Sequence, residues 1–197
     1  MRNRIEHPKV FISYAWGSED YKIKVLSFAT DLMNDGIEVI LDQWSLKEGN
    51  DTYAFMEQSA TDPTITNVLI LLDPVYEKKA NGRDGGVGTE TQIISPEIYN
   101  KVKQEKFLPV IFERGIKGEI PKPQYLKTMF HFDLTQEEKY DLEYRRLVKR
   151  LYGIEIVEKP ELGKKPSWLD ERSTIPTKTR SGYEGLKQQK SDSVKKD

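Results

Sequence analysis

Thr66-Asn-Val-Leu-Ile-Leu-Leu72 is the stretch that decides the fold of this 197-residue chain. From Val68 onward it is an unbroken apolar run of strand length. A continuous run of this kind is typical of a central parallel strand that is covered on both faces, because a strand with one solvent-exposed face would alternate apolar and polar residues. The run therefore predicts an α/β sheet with this strand in its interior.

Further strands and helices are predicted on both sides of this run. The strands are expected over residues 9–14, 37–41, 107–112 and 129–132. The helices are expected from a Ser18 cap to Gly36, over residues 53–60, from Thr89 with a break at Ser95-Pro96 to about residue 103, and from a Thr135-x-x-Glu138 capping box to Gly153. This alternation predicts parallel βαβ units, and hence a three-layer α/β domain over residues 8–153. Residues 154–197 are expected to form a basic, polar extension, partly disordered or a linker.

Two local expectations accompany these elements. The first helix is expected to bury one face, made of Ile23, Leu26, Ala29 and Met33. Pro109 is disfavoured in a central strand, so the strand over 107–112 is expected near an edge of the sheet or locally irregular.

Composition excludes several classes of function. Residues 1–157 carry 21 basic and 25 acidic side chains and residues 158–197 carry 10 and 7, so no nucleic-acid partner is expected. There is no cysteine, and His7 and His131 are the two histidines, which leaves no metal-ligand spacing. No apolar run approaches the length that crosses a bilayer, and no apolar signal core follows the N-terminus. We expect a cytoplasmic protein without a membrane segment.

The stretch Arg83-Asp-Gly-Gly-Val-Gly-Thr-Glu90-Thr-Gln92 is the strongest candidate for chemistry. It follows the central strand by about ten residues and ends in the capping pattern Thr89-x-x-Gln92. A flexible glycine loop would therefore bring the carboxylate of Glu90 into the first turn of a helix. Ligands of open α/β sheets bind at this edge, beyond the carboxyl ends of the strands.

Familiar phosphate and dinucleotide motifs are absent from the sequence. There is no G-x-x-x-x-G-K-[ST] loop, and the glycines do not form G-x-G-x-x-G directly after the first strand. A receiver domain would need an acidic cluster beside the first strand and a lysine after the fifth. Here the first strand ends in Ser13-Tyr14 and the fifth is followed by Asp133-Leu134, so that class is excluded.

A set of side chains is expected to converge at the carboxyl edge of the sheet: Ser13, Tyr14, Trp16, Asp42, Trp44, Arg83 and Glu90. Aromatic faces can stack a base or pyridine ring, carboxylates and hydroxyls can bind ribose, and the arginine can bind a phosphate. The set fits a nucleotide better than a peptide. Each member also has a structural alternative, such as covering the end of the sheet, capping a turn or favouring a helix dipole.

Three motifs together resemble bacterial TIR (Toll/interleukin-1 receptor) domains, and within them the SEFIR branch. They are Val10-Phe-Ile-Ser-Tyr14, Gly36-Ile-x-Val-Ile-Leu-Asp42-x-Trp44-x-Leu46-x-x-Gly49, and Arg83-x-Gly-Gly-Val-Gly-x-Glu-Thr-Gln-Ile-Ile94. The resemblance covers roughly residues 8–150. It implies a flavodoxin-like three-layer sandwich with a five-stranded parallel sheet.

The resemblance also implies two alternative functions. In the first, the domain cleaves NAD+ as its substrate and needs no other cofactor, with Glu90 as the catalytic residue. It would act in bacterial anti-phage signalling and be activated by self-assembly into an oligomer or filament. The assembly loop would comprise Leu46, Lys47, Glu48 and Gly49. In the second, the domain is a non-enzymatic adaptor that recruits a TIR, SEFIR or effector protein. NAD-cleaving relatives often carry Trp or Cys shortly before the glutamate, where this chain has Gly86, Val87 and Gly88, and this keeps the second alternative open. The chain could also be a fragment of a longer receptor.

Overall fold

Five parallel strands in the order β2-β1-β3-β4-β5 form the centre of the fold. The structure is a computed structural model that describes residues 5–82, 93–157 and 159–169. The strands are β1 (Lys9–Tyr14), β2 (Glu38–Ile40), β3 (Asn67–Leu72), β4 (Phe107–Ile111) and β5 (Phe132–Asp133). The helices are α1 (Glu19–Asn34), α2 (Asp42–Ser45), α3 (Thr52–Thr61), α4 (Pro74–Asn81), α5 (Pro96–Lys101) and α6 (Tyr140–Leu151). The predicted flavodoxin-like α/β architecture is confirmed.

The central strand is β3, as its apolar run predicts. It pairs with β1 from Val10↔Asn67 onward and with β4 from Val68↔Phe107 onward, and all six of its residues are buried. The strand β4 lies next to the edge strand β5, which pairs with Val110 and Ile111 alone. Pro109 lies before the part of β4 that pairs with β5. Strand β4 is next to the edge of the sheet, in agreement with the expectation for a strand that contains proline.

Two hydrophobic clusters cover the two faces of the sheet. One contains Val10, Ile12 and Tyr14 of β1 together with residues of α1 and α6. The other contains Phe11 and Ala15 together with residues of α3, α4 and α5. Because successive side chains of a strand point to opposite faces, neighbouring residues of β1 belong to different layers.

Helix α1 begins and ends where the sequence predicts, but it buries a different face. The Ser18 side chain accepts a hydrogen bond from the Tyr21 amide, and Gly36 follows the helix with φ of 80°. The buried residues are Tyr21, Val25, Phe28, Ala29 and Leu32, whereas Ile23 and Met33 are 63% and 47% exposed. The predicted stripe is wrong because it leaves out Tyr21 and Phe28, whose large rings pack against Phe112 in the core.

Other predicted boundaries also need correction. The sequence analysis predicted neither the short helix α2, which contains Trp44, nor helix α4. The fifth strand begins at Phe132, three residues later than expected, and Phe130 is 98% exposed. The expected capping box at Thr135 does not form. The Thr135 hydroxyl oxygen accepts from Arg114 Nε at 2.8 Å, and its proton is donated to Asp133 Oδ1 at 2.6 Å. A 3₁₀ turn over Glu137–Lys139 then leads into α6.

The chain divides into two compact units, Met1–Glu158 and Lys159–Asp197. The described part of the first contains the sheet and helices α1 to α6, and the described part of the second contains one 3₁₀ turn over Ser167–Leu169. The predicted domain boundary at residue 153 stays a prediction. Within the described ranges, no helix is both long and apolar enough to cross a membrane.

Candidate functional site

The carboxyl edge of the sheet has a topological switch point between β1 and β3. Helix α1 follows β1 on one face of the sheet, whereas α4 follows β3 on the other face. The strand order therefore reverses between these two neighbouring strands, and such a switch point is where open α/β sheets bind ligands. Two hydrogen-bonded clusters lie at this edge, one in each layer.

The first cluster, named here the Asp42 cluster, consists of Tyr14, Trp16, Asp42 and Gln43. The Tyr14 hydroxyl and the Trp16 indole N–H both donate to Asp42 Oδ2, at 3.0 Å and 2.7 Å. Gln43 Nε2 donates to the Tyr14 hydroxyl at 3.1 Å. One carboxylate oxygen at the start of α2 thus holds two aromatic side chains from the end of β1.

Burial controls the electrostatics of the Asp42 cluster. Asp42 is 3% exposed, and this desolvation raises its pKa, although the hydrogen bonds from Tyr14 and Trp16 oppose the rise. Desolvation also raises the pKa of Tyr14, and the nearby charge of Asp42 adds to this. Asp42 Oδ1 is buried and has no hydrogen-bond partner among the described residues. The cluster is therefore a polar group inside an apolar layer.

The second cluster, named here the Tyr76 cluster, consists of Ser13, Tyr76, Ile94 and Tyr125. The hydroxyls of Ser13 and Tyr76 are hydrogen-bonded at 3.2 Å. The Ile94 amide donates to the Tyr76 hydroxyl at 3.0 Å, and the Tyr125 hydroxyl donates to the Ile94 carbonyl at 2.5 Å. This cluster joins β1 and α4 to the backbone that precedes α5.

Local sequence explains the position of Tyr76. Asp73 caps α4 by accepting the Tyr76 amide with Oδ1 at 2.8 Å, and Pro74 is the first helical residue. Proline suits this position because its missing N–H would have no intrahelical partner there. The dipeptide Asp73-Pro74 is thus the sequence signal from which α4 could have been predicted.

Two buried polar atoms at the same edge have no partner among the described residues: the Tyr21 hydroxyl and Asp73 Oδ2. Burial raises the pKa of Tyr21, and the nearby charge of Asp73 raises it further. Tyr21 also lies beside the Tyr14 ring, with centroids 6.3 Å apart. The carboxyl ends of β1 and β3 therefore have buried polar side chains, Tyr21 and Asp73, in addition to those of the Asp42 cluster.

The predicted site residues are only partly brought together. Tyr14, Trp16 and Asp42 form one hydrogen-bonded group, whereas Ser13 lies on the opposite face and bonds to Tyr76. Trp44 is 44% exposed on α2. Arg83, Glu90 and the expected helix start at Thr89 lie outside the described residues. Residues of the two clusters that the sequence analysis missed are Gln43, Tyr76 and Tyr125.

The predicted assembly loop forms an exposed turn between α2 and α3. Leu46 is half-buried, and Lys47, Glu48 and Gly49 are exposed. The Asn50 side chain accepts the Lys47 amide at 2.9 Å, and the Asn50 amide donates to the Lys47 carbonyl at 3.0 Å. Gly49 has φ of 89°, a conformation that glycine adopts without strain. Its role in assembly stays a prediction.

Two surface cavities lie away from this edge. One, of about 610 Å³, is lined by Ile5, Glu6, Tyr152 and Ile154. The other, of about 600 Å³, follows α6 and is lined by Asp35, Leu142, Tyr144, Arg145, Arg146, Val148, Lys149 and Ile156. None of the predicted site residues lines either cavity. Within the described ranges, no group of acidic and histidine side chains is arranged to hold a metal ion.

Comparison with known proteins identifies the family. The family model of the SEFIR domain matches residues 8–141. The crystal structure of a prokaryotic SEFIR domain is 44% identical, with a TM-score of 0.66 over 80% of this chain and 99% of that chain. No curated protein sequence matches.

More distant structural similarity extends to TIR domains. The TIR domain of the Toll-related receptor TRR-2 from Hydra magnipapillata is 15% identical, with a TM-score of 0.48 over 72% of this chain and 96% of that chain. The TIR domains of the activated Roq1 resistosome are 15% identical, with a TM-score of 0.40 over 75% and 85%. The family assignment rests on the two SEFIR matches. The family model matches residues 8–141, which lie in the α/β domain described above. The chain belongs to the SEFIR domain family.

Proposed function

We propose that this SEFIR domain cleaves NAD+ between nicotinamide and ribose, with Glu90 as the catalytic residue, in bacterial anti-phage signalling. The observation that carries the proposal is the position of Ile94 at the carboxyl edge, bonded to Tyr76 beside Ser13 of β1. Glu90 precedes Ile94 by four residues, and four residues of extended chain reach at most about 14 Å. This short reach supports a role for Glu90 at the switch point.

The chemistry needs one ionised carboxylate. Nicotinamide leaves NAD+ as a neutral molecule and takes the electrons of the C–N bond, so it needs no general acid. The ribose carbon becomes an oxocarbenium-like cation, which a carboxylate can stabilise. Attack by water then gives ADP-ribose and releases a proton, whereas attack by an adenine nitrogen gives a cyclic isomer.

The Asp42 cluster would supply the stacking surface for a ring of the substrate. Tyr14 is fully buried and Asp42 nearly so, which leaves the half-buried Trp16 as the aromatic member with an accessible face. Asp42 would fix the orientation of that indole through the hydrogen bond at 2.7 Å. Trp44 and Arg83 remain proposed substrate contacts, whereas Ser13 is fully buried and would act through Tyr76.

Assembly would control the activity. The exposed turn that contains Lys47, Glu48 and Gly49 would dock on a neighbouring copy and make a head-to-tail contact that propagates into an oligomer or filament. No other cofactor and no nucleic acid enter this proposal. We propose a cytoplasmic location, where NAD+ is available.

The test is nicotinamide release from NAD+ by wild type and Glu90→Gln across a range of protein concentrations. We expect the wild-type specific activity to rise with protein concentration and the variant to lose about 100-fold in kcat, because the amide keeps the shape and removes the charge. The matched control is Glu138→Gln, which removes an exposed carboxylate outside the proposed site and the assembly loop and should leave the activity unchanged. Equal rates for wild type and Glu90→Gln would contradict the proposal.

An adaptor function is the second candidate, favoured by the groove along α6. Leu142 and Ile156 are 61% and 44% exposed there, beside the cationic side chains of Arg145 and Lys149. Apolar surface next to positive charge suits an acidic face of a second SEFIR or TIR domain. No nicotinamide release by the assembled wild type, together with weaker self-association of Leu142→Glu, would favour this function.

A further inference from the structure

We infer that Tyr76 and Tyr125 clamp the backbone of Ile94 from two sides and so act as positioning residues for Glu90. The inference rests on the proposed function, since it concerns how the catalytic carboxylate is held. The clamp itself is a structural claim about Ile94 and can be tested separately.

The first argument is the bonding of the Ile94 backbone. Ile94 is completely buried and lies outside any helix or strand. Buried backbone groups need partners, and secondary structure usually supplies them. Here two side-chain hydroxyls do so, because Tyr76 accepts the amide at 3.0 Å and Tyr125 donates to the carbonyl at 2.5 Å.

The second argument is that both tyrosines are themselves fixed. The Tyr76 ring is completely buried, its amide is bonded to the Asp73 cap, and its hydroxyl is bonded to Ser13 of β1. The Tyr125 ring packs against Tyr99, with centroids 5.4 Å apart. The two hydroxyls therefore approach Ile94 from different elements, α4 and the 3₁₀ turn over Gln124–Leu126.

The third argument is the place of Ile94 in the chain. It stands four residues after Glu90 and directly before Ser95, whose side chain caps α5 by accepting the Ile98 amide at 3.3 Å. The clamp thus joins the segment that carries Glu90 to the sheet at a point where no strand pairing does so. A displacement of about 1 Å of a catalytic group can lower a rate by about 100-fold, so such an anchor affects chemistry.

The experiment compares Tyr76→Phe and Tyr125→Phe with wild type and with the control Tyr99→Phe. Each change removes one hydroxyl and keeps the ring. Tyr99 belongs to the same layer, but its hydroxyl donates to Met129 Sδ at 3.2 Å and does not contact Ile94. Two quantities are measured: amide hydrogen exchange of residues 93–95, and kcat and KM for NAD+ with the assembled protein.

We expect exchange at Ile94 to be about tenfold faster in Tyr76→Phe, because its amide loses its acceptor. We expect kcat to fall by about 10-fold in both clamp variants while KM stays within about twofold, since the substrate contacts remain. Tyr99→Phe should match wild type in both quantities.

Unchanged exchange at Ile94 in a folded Tyr76→Phe protein would overturn the clamp. Faster exchange with unchanged kcat, or an effect on KM alone, would overturn the positioning role. A wild type without NADase activity would defeat the proposed function and this positioning role, and exchange at Ile94 would still decide the clamp. If Tyr76→Phe does not fold, Tyr125→Phe tests the carbonyl side through kcat, and a kcat equal to that of wild type would overturn the positioning role.

Discussion

Ser13 and Tyr14 are neighbours in β1, yet they belong to two clusters of different chemistry. Tyr14 points into the α1 layer, where the acceptor is a buried carboxylate that holds two donors. Ser13 points into the α4 layer, where neutral hydroxyls bond to each other and to the Ile94 backbone. Hydrogen bonds to a charged acceptor are worth about twice those between neutral groups. The α1 side should therefore contribute more to stability, and the α4 side more to positioning the segment before α5.

The largest expected effect is on the α1 side. Asp42→Ala leaves the Tyr14 hydroxyl and the Trp16 N–H without their acceptor, so we expect a loss of about 3 kcal/mol in the free energy of unfolding. Urea denaturation would measure it. Asp42→Asn keeps an acceptor oxygen and should lose less. The counterpart Ser13→Ala should lose only about 1 kcal/mol, because the Tyr76 hydroxyl keeps its bond from Ile94. Equal losses for Asp42→Ala and Ser13→Ala would remove the distinction between the two sides.

A smaller effect separates two tyrosines of the same layer. Tyr14→Phe removes a hydroxyl that donates to Asp42 and accepts from Gln43, so we expect a loss of about 1.5 kcal/mol. Tyr21→Phe removes a buried hydroxyl that lies near Asp73 but makes no hydrogen bond of ordinary geometry among the described residues, so the loss should be at most about 0.5 kcal/mol. Thermal and urea unfolding of both variants would measure the difference. A larger loss in Tyr21→Phe than in Tyr14→Phe would show that Tyr21 has a partner in solution.

The smallest effect is a dependence on pH that the α1 side should show. Burial raises the pKa of Asp42 in the folded state above the unfolded value of about 3.9, so the folded protein binds the proton more tightly. Stability of wild type relative to Asp42→Asn should therefore increase as the pH falls from 7 toward 4. Other carboxylates cancel in this difference, which chemical denaturation at several pH values would measure. A relative stability that decreases over this range would mean that the hydrogen bonds outweigh the burial.

The sequence predicted strands and helix caps well, because those depend on local patterns. The apolar run of β3, the Ser18 cap and the Ser95-Pro96 start of α5 are all found. The buried face of α1 was predicted wrongly, since aliphatic spacing alone does not show that Tyr21 and Phe28 pack on Phe112. The capping box at Thr135 was also wrong, because Arg114 donates to the hydroxyl oxygen that a cap would use as acceptor.

Recognition of the candidate site was less complete. The sequence analysis named Tyr14, Trp16 and Asp42, and these are hydrogen-bonded to one another. It grouped Ser13 with them and did not name Tyr76 or Tyr125. The alternation of a strand separates Ser13 from Tyr14, while the bonds between Tyr76, Tyr125 and Ile94 join residues 18 and 31 positions apart. No local pattern reports such distant pairs.

The sequence by itself determined the family, the succession of five strands and the parallel sheet. It could do so because apolar periodicity, glycine and proline positions and caps act over a few residues. Only the tertiary structure decided which polar groups meet. The Asp42 and Tyr76 clusters exist because the order β2-β1-β3 brings three strand ends to one edge and because neighbouring side chains of β1 enter opposite layers.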